Sequence, residues 1–219
     1  MTIEKYQYRL YGRTRGRSNK KINLENYKTK LNKIKIFKLD KKEDYILDIG
    51  TGYGETSIFL SKNYPEKIII ACEKYIDGNI NLLKKIDRYN LKNIKLFDGN
   101  VNKILEESNI EKYFSLIWIF FPDPWPKKKH FKRRLLTSAF LKKLHTFLKF
   151  KGRICIATDS VSYTKSILKV IFENQNLFDW TNQTQTHLSI KDNYNLETKF
   201  YKKAINSGRN PILFILEKI

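Results

Sequence analysis

The chain has 219 residues, enough to bury a substantial core, and its hydrophobic fraction of 41% is ordinary for a globular protein. Its charge is unusual, because 43 basic and 22 acidic side chains leave a net charge of +21, which favours nucleic acid as a partner. Two cysteines are too few for a disulfide framework, and the sequence shows neither a signal-peptide pattern nor an apolar run of membrane-spanning length. Composition therefore predicts a soluble cytoplasmic protein.

The N-terminal segment concentrates this positive charge. Residues 1–22 carry seven basic side chains against one acid, Glu4, and four of the seven are arginines. Lysine enrichment throughout the chain would raise the net charge without any ligand, but it would not enrich arginine, which binds phosphate through a planar fork. We predict a basic arm and lead-in helix over residues 1–42, followed by one domain over 43–219.

From residue 45 onward, apolar strand patterns alternate with helical patterns. Strands are predicted over 45–49, 67–72, 93–97, 114–121 and 152–157, and helices over 24–39, 55–62, 77–89, 101–108, 134–150 and 161–175. The segment 177–219 resembles two further strands. This alternation predicts an α/β fold with a doubly wound, mostly parallel sheet and helices on both faces. Cys72 and Cys155 fall in strands and are expected in the core.

A glycine-rich turn follows the first predicted strand. Gly50 and Gly52 let the backbone approach a ligand, and the helix that follows points its free N–H groups toward it. Glu73 ends the next strand, about 20 residues further on, where an acid commonly holds ribose hydroxyls. A polar loop at 98–100 follows the third strand. Together these features predict a site for a nucleoside-containing ligand.

Two features of this turn bear on which nucleoside it binds. A dinucleotide fingerprint has the spacing Gly-x-Gly-x-x-Gly, whereas this chain has Gly50, Gly52 and Gly54. Asp48 precedes the turn, where a carboxylate disfavours a pyrophosphate and suits a cationic ligand such as S-adenosylmethionine. Asp48 has the alternative roles of a helix-capping or a solvated acid.

The segment Phe121-Pro122-Asp123-Pro124-Trp125 follows the fourth predicted strand. Pro122 cannot donate to a strand ladder, so it ends the strand and holds Asp123 in a stiff turn at the sheet edge where α/β folds bind ligands. Residues 127–134 add six cations and no acid, which favours a polyanion. The alternatives are that Asp123 caps a following helix and that Trp125 packs under the loop instead of stacking on a base.

These motifs, together with Ala157-Thr158-Asp159 and Thr198-Lys199-Phe200, make the chain similar to the bacterial-type tRNA (guanine-N7-)-methyltransferases. The similarity extends from the segment 12–17 to Glu217. It implies a class I, Rossmann-like methyltransferase that uses S-adenosylmethionine to methylate N7 of a variable-loop guanosine in tRNA. It implies no metal and no membrane, and it leaves open whether the protein is a monomer or a homodimer.

The resemblance also implies roles for individual residues. The S-adenosylmethionine positions are Asp48, Glu73, Asn100 and Asp123, and Asp123 is also the acid considered catalytic. The substrate-binding positions are Lys127, Asp159, Thr198, Lys199, Phe200 and Tyr201. The loop credited with RNA contact comprises Lys129, His130, Phe131, Lys132, Arg133 and Arg134. Asp159 also precedes a helix as an N-cap residue would, and the sequence weighs the two roles equally.

Two positions depart from the family pattern. Asn100 and Tyr201 stand where the family usually has acids. An amide still hydrogen-bonds an adenine ring, but the loss of a carboxylate at 201 removes an acceptor for the N–H groups of guanine. Two other functions stay open, namely a non-catalytic RNA-binding module on a methyltransferase scaffold and an amino-methylating nucleic-acid enzyme. The latter class characteristically has Asn/Asp-Pro-Pro-aromatic after this strand.

Overall fold

The structure, a computed structural model, describes residues 24–40, 43–107, 112–184 and 188–219. The chain divides into two compact units, Met1–Asn109 and Ile110–Ile219. The basic arm predicted over 1–22 lies outside the described residues. The predicted domain boundary between residues 42 and 43 stays a prediction.

The first unit alternates helices with short parallel strands. Its elements are α1 (Leu24–Ile34), β1 (Tyr45–Ile49), α2 (Glu55–Asn63), β2 (Ile68–Cys72), α3 (Ile76–Tyr89), β3 (Ile94–Phe97) and α4 (Val101–Glu107). The strands pair in parallel in the order β3-β2-β1. All five residues of β1 and four of the five in β2 are buried, as expected for parallel strands covered on both faces.

The second unit continues the alternation and then reverses direction. Its elements are β4 (Phe114–Phe120), a 3₁₀ helix (Lys128–Arg133), α5 (Ser138–Phe147), β5 (Leu148–Thr158), α6 (Val161–Phe172), β6 (Phe178–Trp180), α7 (Ile190–Tyr194), α8 (Lys199–Asn206) and β7 (Ile212–Lys218). Strand β5 pairs in parallel with β4 and antiparallel with β7, which pairs antiparallel with β6.

A mixed sheet of seven strands with intervening helices confirms the predicted α/β class and its mostly parallel sheet. Cys72 and Cys155 are buried free thiols, as expected for core residues. Burial raises the pKa of the Cys155 thiol to about 12, so it is inert at neutral pH. No helix in the described ranges combines the length and the apolar character needed to cross a membrane.

Predicted and observed segments differ most in four places. The helix predicted over 24–39 ends at Ile34, and the strand predicted over 152–157 already begins at Leu148. The helix predicted over 134–150 is the shorter α5, because Thr137 caps it by accepting from the Phe140 N–H (3.2 Å) and Leu148 already has extended backbone. In the tail, the two predicted strands correspond to β6 and β7, but the helices α7 and α8 between them were missed. These helices have five and eight residues, which is too short to show a clear helical period.

Candidate active site

The glycine-rich turn between β1 and α2 contains three left-handed residues. Gly50, Gly52 and Gly54 have φ angles of 76°, 54° and 79°, a region that residues with a Cβ rarely adopt. The Gly50 N–H donates to the carbonyl of the last β2 residue (2.8 Å), and the Gly54 N–H donates to a carbonyl within the turn (2.9 Å). The Gly52 N–H donates to Glu73 Oε2 (2.9 Å). All three glycine N–H groups therefore have acceptors within the protein.

Glu73, directly after β2, joins this turn to α3. Besides accepting from Gly52, its carboxylate accepts from the backbone N–H groups of Lys74 (2.8 Å) and Tyr75 (2.9 Å). These contacts hold it at the N-terminus of α3, where the helix dipole favours a negative charge. A carboxylate accepts about four hydrogen bonds, so, counting donors from the described residues, one acceptor position remains for a hydroxyl. The structure brings Glu73 and the glycine turn together as predicted, while the ribose contact stays a prediction.

Asp48, near the end of β1, is turned into the protein, and only 1% of its surface is exposed. Its Oδ2 accepts from the hydroxyls of Thr56 and Ser57 in the first turn of α2, both at 2.6 Å. Burial raises its pKa from 3.8 to about 6; the two hydroxyls oppose this shift, and the charge of Glu73 adds to it. In this position the side chain braces the start of α2, and the predicted contact of Asp48 with the cofactor stays a prediction.

Asn100, in the loop after β3, has a local structural role. Its Oδ1 accepts from the backbone N–H of Asn102 (3.0 Å) and from the side-chain amide of the same residue (3.3 Å) at the start of α4. An aspartate would accept these hydrogen bonds equally well, so the departure from the family's acid leaves this local fold intact. The predicted contact with an adenine ring stays a prediction.

Gly78 in α3 is a site residue that the sequence analysis missed. A Cβ at this position would lie 2.2 Å from the Gly52 carbonyl oxygen, so α3 and the glycine turn meet backbone to backbone. A glycine inside a helix costs about 1 kcal/mol relative to alanine, so its presence in a helical pattern was the available signal. A Cβ at Gly50, in contrast, would meet nothing within 4 Å. That side of the turn is open.

These contacts do not suit the pyrophosphate of a dinucleotide. The glycine N–H groups are committed, and the carboxylates of Asp48 and Glu73 beside the turn disfavour a phosphate and favour a cation. The Thr51 hydroxyl is a further buried polar atom of the turn, without a hydrogen-bond partner in the described part of the chain. Within the same ranges, no three His, Cys, Asp or Glu side chains form a group that could hold a metal ion.

The Pro122-Asp123-Pro124 turn follows β4 in the second unit. The residues on either side, Phe121 and Trp125, have positive φ angles of 51° and 42°. Such angles cost a non-glycine residue about 1–3 kcal/mol each. The Phe121 N–H donates to the Ala157 carbonyl of β5 (2.8 Å), which anchors the start of the turn. Asp123, between Pro122 and Pro124, is exposed. The turn therefore presents one carboxylate at the C-terminal end of a parallel strand, as predicted.

The structure does not use Asp123 as a helix cap. The next helical segment is the 3₁₀ helix that begins at Lys128, and α5 is capped by Thr137. Trp125 packs edge-to-face on His130, with centroids 5.8 Å apart, and the Arg133 guanidinium lies 5.0 Å from its ring. Trp125 therefore has the packed position that was the alternative to stacking on a base.

Arg134, a predicted RNA-binding residue, turns inward. Only 5% of its surface is exposed. Its guanidinium donates to the Pro124 carbonyl (2.9 Å), to the carbonyl and hydroxyl of Ser162 (3.0 and 2.9 Å) and to the Ser166 hydroxyl. In the structure Arg134 braces the acidic turn against α6, and its predicted contact with RNA stays a prediction.

The other cations of the block lie on or near the surface and form what we term the basic surface, residues 127–133. Its lysines are exposed and Arg133 is half-buried. The pKa of His130 is lowered, first by partial burial and then by the positive charges of Arg133, Lys129 and Lys127. The predicted residues Lys129, His130, Phe131, Lys132 and Arg133 thus share one positively charged segment with Lys127. Their contact with RNA stays a prediction.

Asp159 is not the cap of α6. That role belongs to Ser160, whose hydroxyl accepts from the Tyr163 N–H. The Asp159 carboxylate instead pairs with Arg209 Nε at 2.8 Å, and 23% of the Asp159 side chain is exposed. Arg209 was missed by the sequence analysis because the partners lie 50 residues apart and no local pattern links them.

The predicted substrate segment 198–201 forms the start of α8. Thr198 is buried and caps this helix, because its hydroxyl accepts from the Tyr201 N–H (3.1 Å). Lys199 and Phe200 are exposed, and Tyr201 is half-buried. The Phe200 ring stacks on Phe121, with centroids 6.2 Å apart and planes at 22°. The structure therefore brings this segment to the start of the acidic turn.

Comparisons of the sequence with known proteins agree on one family, and a solved structure shares the fold. Residues 42–213 match the family model described as "Putative methyltransferase". A tRNA (guanine-N(7)-)-methyltransferase of Neorickettsia sennetsu is 32% identical over 177 residues, which are 79% of each chain. A protein of the same name from Leptospira interrogans is 37% identical over 133 residues, 61% of each chain. A Streptococcus mutans methyltransferase solved in complex with SAH shares the fold, with a TM-score of 0.55, 17% identity and coverage of 91% of this chain and 99% of its own.

Proposed function

Because the chain belongs to the tRNA (guanine-N7-)-methyltransferase family, we propose that it transfers a methyl group from S-adenosylmethionine to N7 of a guanine in tRNA, the variable-loop guanosine. The observation that carries the proposal is the exposed carboxylate of Asp123 in a rigid turn directly after β4. The basic surface follows it within a few residues, so an acid for the reacting base and cations for the phosphates are provided by one segment.

In this proposal S-adenosylmethionine binds at the glycine turn. Glu73 accepts from a ribose hydroxyl with its remaining acceptor position, and Gly50 offers the open side of the turn. Asn100 contacts the adenine ring, while Asp48 acts indirectly by bracing α2. When bound, this cofactor supplies an electrophilic methyl group on a positively charged sulfur.

The chemistry at guanine requires orientation and charge stabilisation. N7 has an in-plane lone pair and carries no proton, so no general base is needed. Holding the base in line with the methyl group can contribute roughly 7–11 kcal/mol. We assign this task to Lys127, Asp159 and the 198–201 segment. The methylated ring is cationic, and the fixed carboxylate of Asp123 stabilises that charge as it develops.

The basic surface holds the phosphates of tRNA. Exposed lysines neutralise phosphate charge without selecting a base sequence, whereas an accessible loop presents a guanine that a closed duplex would bury. A folded RNA with an exposed loop base therefore matches this surface and the turn beside it.

The test is methylation of an unmodified tRNA transcript with labelled S-adenosylmethionine, followed by borohydride–aniline cleavage at 7-methylguanosine. We expect cleavage at one variable-loop position with the wild-type protein. Asp123→Asn should lower kcat about 100- to 1000-fold while the Kd for tRNA stays within about twofold, because it removes charge stabilisation and no phosphate contact.

The matched control is Asp179→Asn, which removes one exposed carboxylate from β6 in the same unit. It should keep wild-type activity. An Asp123→Asn variant as active as this control would refute the role of Asp123. Failure of the wild-type protein to bind S-adenosylmethionine in a calorimetric titration would favour the non-catalytic RNA-binding module.

A further inference from the structure

Arg134 is a buried cation held by uncharged oxygens. Within the part of the chain that the structure describes, its hydrogen-bond acceptors are two backbone carbonyls and two serine hydroxyls, with no carboxylate among them. A charge buried without a counter-ion is unfavourable unless its hydrogen bonds are well satisfied. A guanidinium has five N–H donors, and that of Arg134 donates four hydrogen bonds to acceptors on two sides. One direction is toward Pro124 and the other is toward α6.

Two aromatic rings complete the enclosure. The guanidinium carbon lies 3.6 Å from the Phe131 ring centroid and 4.9 Å from that of Tyr163. Tyr163 is fully buried, and its hydroxyl accepts from the Leu136 N–H (3.0 Å). The Tyr163 ring is therefore held in place beside the guanidinium. Desolvation lowers the pKa of Arg134, yet an arginine stays charged at any physiological pH. The side chain is therefore fixed in position and permanently cationic.

What Arg134 fixes is the exit of the acidic turn. Its entry is anchored by the Phe121 N–H on β5, and the Pro124 carbonyl, one residue after Asp123, is the acceptor that Arg134 ties to α6. The turn contains left-handed residues at both ends. Such strained residues persist only where surrounding contacts hold them in place. Arg134 supplies such a contact at Pro124, the residue before Trp125.

We propose that Arg134 is a positioning residue for methyl transfer, which sets the direction of the Asp123 carboxylate by holding the Pro124 carbonyl against α6. The proposal rests on the function proposed for Asp123. It gives Arg134 a role unlike that of its exposed neighbour Lys132, although both belong to one basic run.

The first test is Arg134→Lys. Lysine keeps the charge, but its single ammonium cannot span from Pro124 to Ser162 and Ser166 as the planar fork does. We expect kcat to fall about 10- to 100-fold, because a displacement near 1 Å at a reacting group has effects of this size. The KM for tRNA should stay within about twofold.

The second measurement does not depend on activity. The chain has three tryptophans, at 118, 125 and 180, whose indole N–H signals can be resolved by NMR. In Arg134→Lys, release of the turn should shift the Trp125 signal. The signals of Trp118 in β4 and Trp180 in β6 should stay in place, because these residues lie in regular strands.

A gentler variant guards against loss of folding. The double substitution Ser162→Ala and Ser166→Ala removes two hydroxyl acceptors and leaves the arginine in place. It should produce the same Trp125 shift at smaller amplitude and a several-fold loss of kcat. Lys132→Gln is the matched control from the same basic run: it should raise the KM for tRNA and leave the Trp125 signal unchanged.

The outcomes separate the possibilities. A wild-type kcat and Trp125 signal in Arg134→Lys would overturn the proposal, and so would a raised KM for tRNA with kcat unchanged, which would make Arg134 an RNA contact. If all three indole signals collapse, the serine variant decides: an unshifted Trp125 there overturns the proposal. If the wild-type protein methylates nothing, the proposed function fails, and an unshifted Trp125 in Arg134→Lys would refute the brace independently.

Discussion

The carboxyl group of Asp48 is buried at the end of β1 next to a second acid, Glu73, and burial raises its pKa. The ionised form of this buried carboxyl therefore has a cost in folding free energy. The unfolded chain would titrate Asp48 near 3.8, whereas the folded chain titrates it near 6. Between these values the unfolded state loses its proton first, so folding becomes less favourable as the pH rises. Above pH 6 both states are ionised and the cost is constant.

This cost predicts the pH dependence of an isosteric variant. The difference between the two pKa values corresponds to about 3 kcal/mol in the free energy of unfolding. Asp48→Asn should gain about this much stability relative to wild type between pH 4 and pH 8, as measured by urea unfolding. The comparison cancels the titration of groups that do not interact with Asp48. Parallel stability curves for the two proteins would show that Asp48 has an ordinary pKa.

At the same scale, sequence alone located residues better than it assigned their roles. It placed Asp48, Glu73 and Asp123 correctly at strand ends, because strand ends follow from apolar runs and their breakers. It could not foresee that Asp48 faces α2 or that Arg134 turns inward. Side-chain direction depends on partners such as Ser162, 28 residues further along, which no local pattern connects with Arg134.

At the scale of elements, the contact between α3 and the glycine turn determines how the turn is held. The helix carries Gly78 where it meets the Gly52 carbonyl, and its first residues are joined to the turn through the carboxylate of Glu73. The Asn79 amide adds a hydrogen bond to the Glu73 carbonyl (3.0 Å). The start of α3 therefore serves as the support on which the turn rests.

The substitution Gly78→Ala should move the start of α3 away from the glycine turn. The added methyl would gain about 1 kcal/mol of helix propensity, but it overlaps the Gly52 carbonyl, and overpacking typically costs about 1–3 kcal/mol. We expect the Kd for S-adenosylmethionine to rise about tenfold, measured by calorimetry. Lys84→Ala, at an exposed position of the same helix, is the control and should bind as wild type does. Equal affinities would show that the turn adjusts without loss.

The elements themselves were predictable where hydrophobic period and length agreed. The strand Tyr45–Ile49 was predicted with its observed bounds, since a short, mostly apolar run precedes a glycine turn. The helix over 134–150 was predicted too long, because its leucines continue into β5 without a proline or glycine to mark the change at Leu148. The helices of the tail were missed because caps such as Ser189 and Thr198 give weak signals without a long apolar stripe.

For the molecule as a whole, the question is whether a polyanion binds to one segment of the chain or to the dispersed positive charges that make up the net charge of +21. Lysines are exposed on several elements, including α1, α3, α5 and α6. The segment 127–133 differs because it has five cations within seven residues and no acid among them. Desolvation lowers the pKa of His130, and the positive charges of Arg133, Lys129 and Lys127 lower it further. We therefore predict that a polyanion contacts this segment in preference to the dispersed lysines.

Salt dependence distinguishes the two cases. Replacing Lys128, Lys129, Lys132 and Arg133 with Gln should weaken tRNA binding and reduce the slope of log K against log salt concentration by about 3. The control replaces four dispersed exposed lysines, Lys33, Lys84, Lys142 and Lys165, and makes the same change in charge. Its slope should stay near that of wild type. Equal reductions in both variants would assign RNA binding to the general charge of the chain.

The hydrogen bonding of the glycine turn has a consequence for selectivity inside a cell. ATP and the methyl donor share an adenosine group. A turn whose backbone N–H groups lacked acceptors would bind the triphosphate of ATP. Here those amides are already satisfied, and acids stand beside them. If S-adenosylmethionine binds at this turn as proposed, ATP should therefore compete poorly with it, as a competition titration would measure.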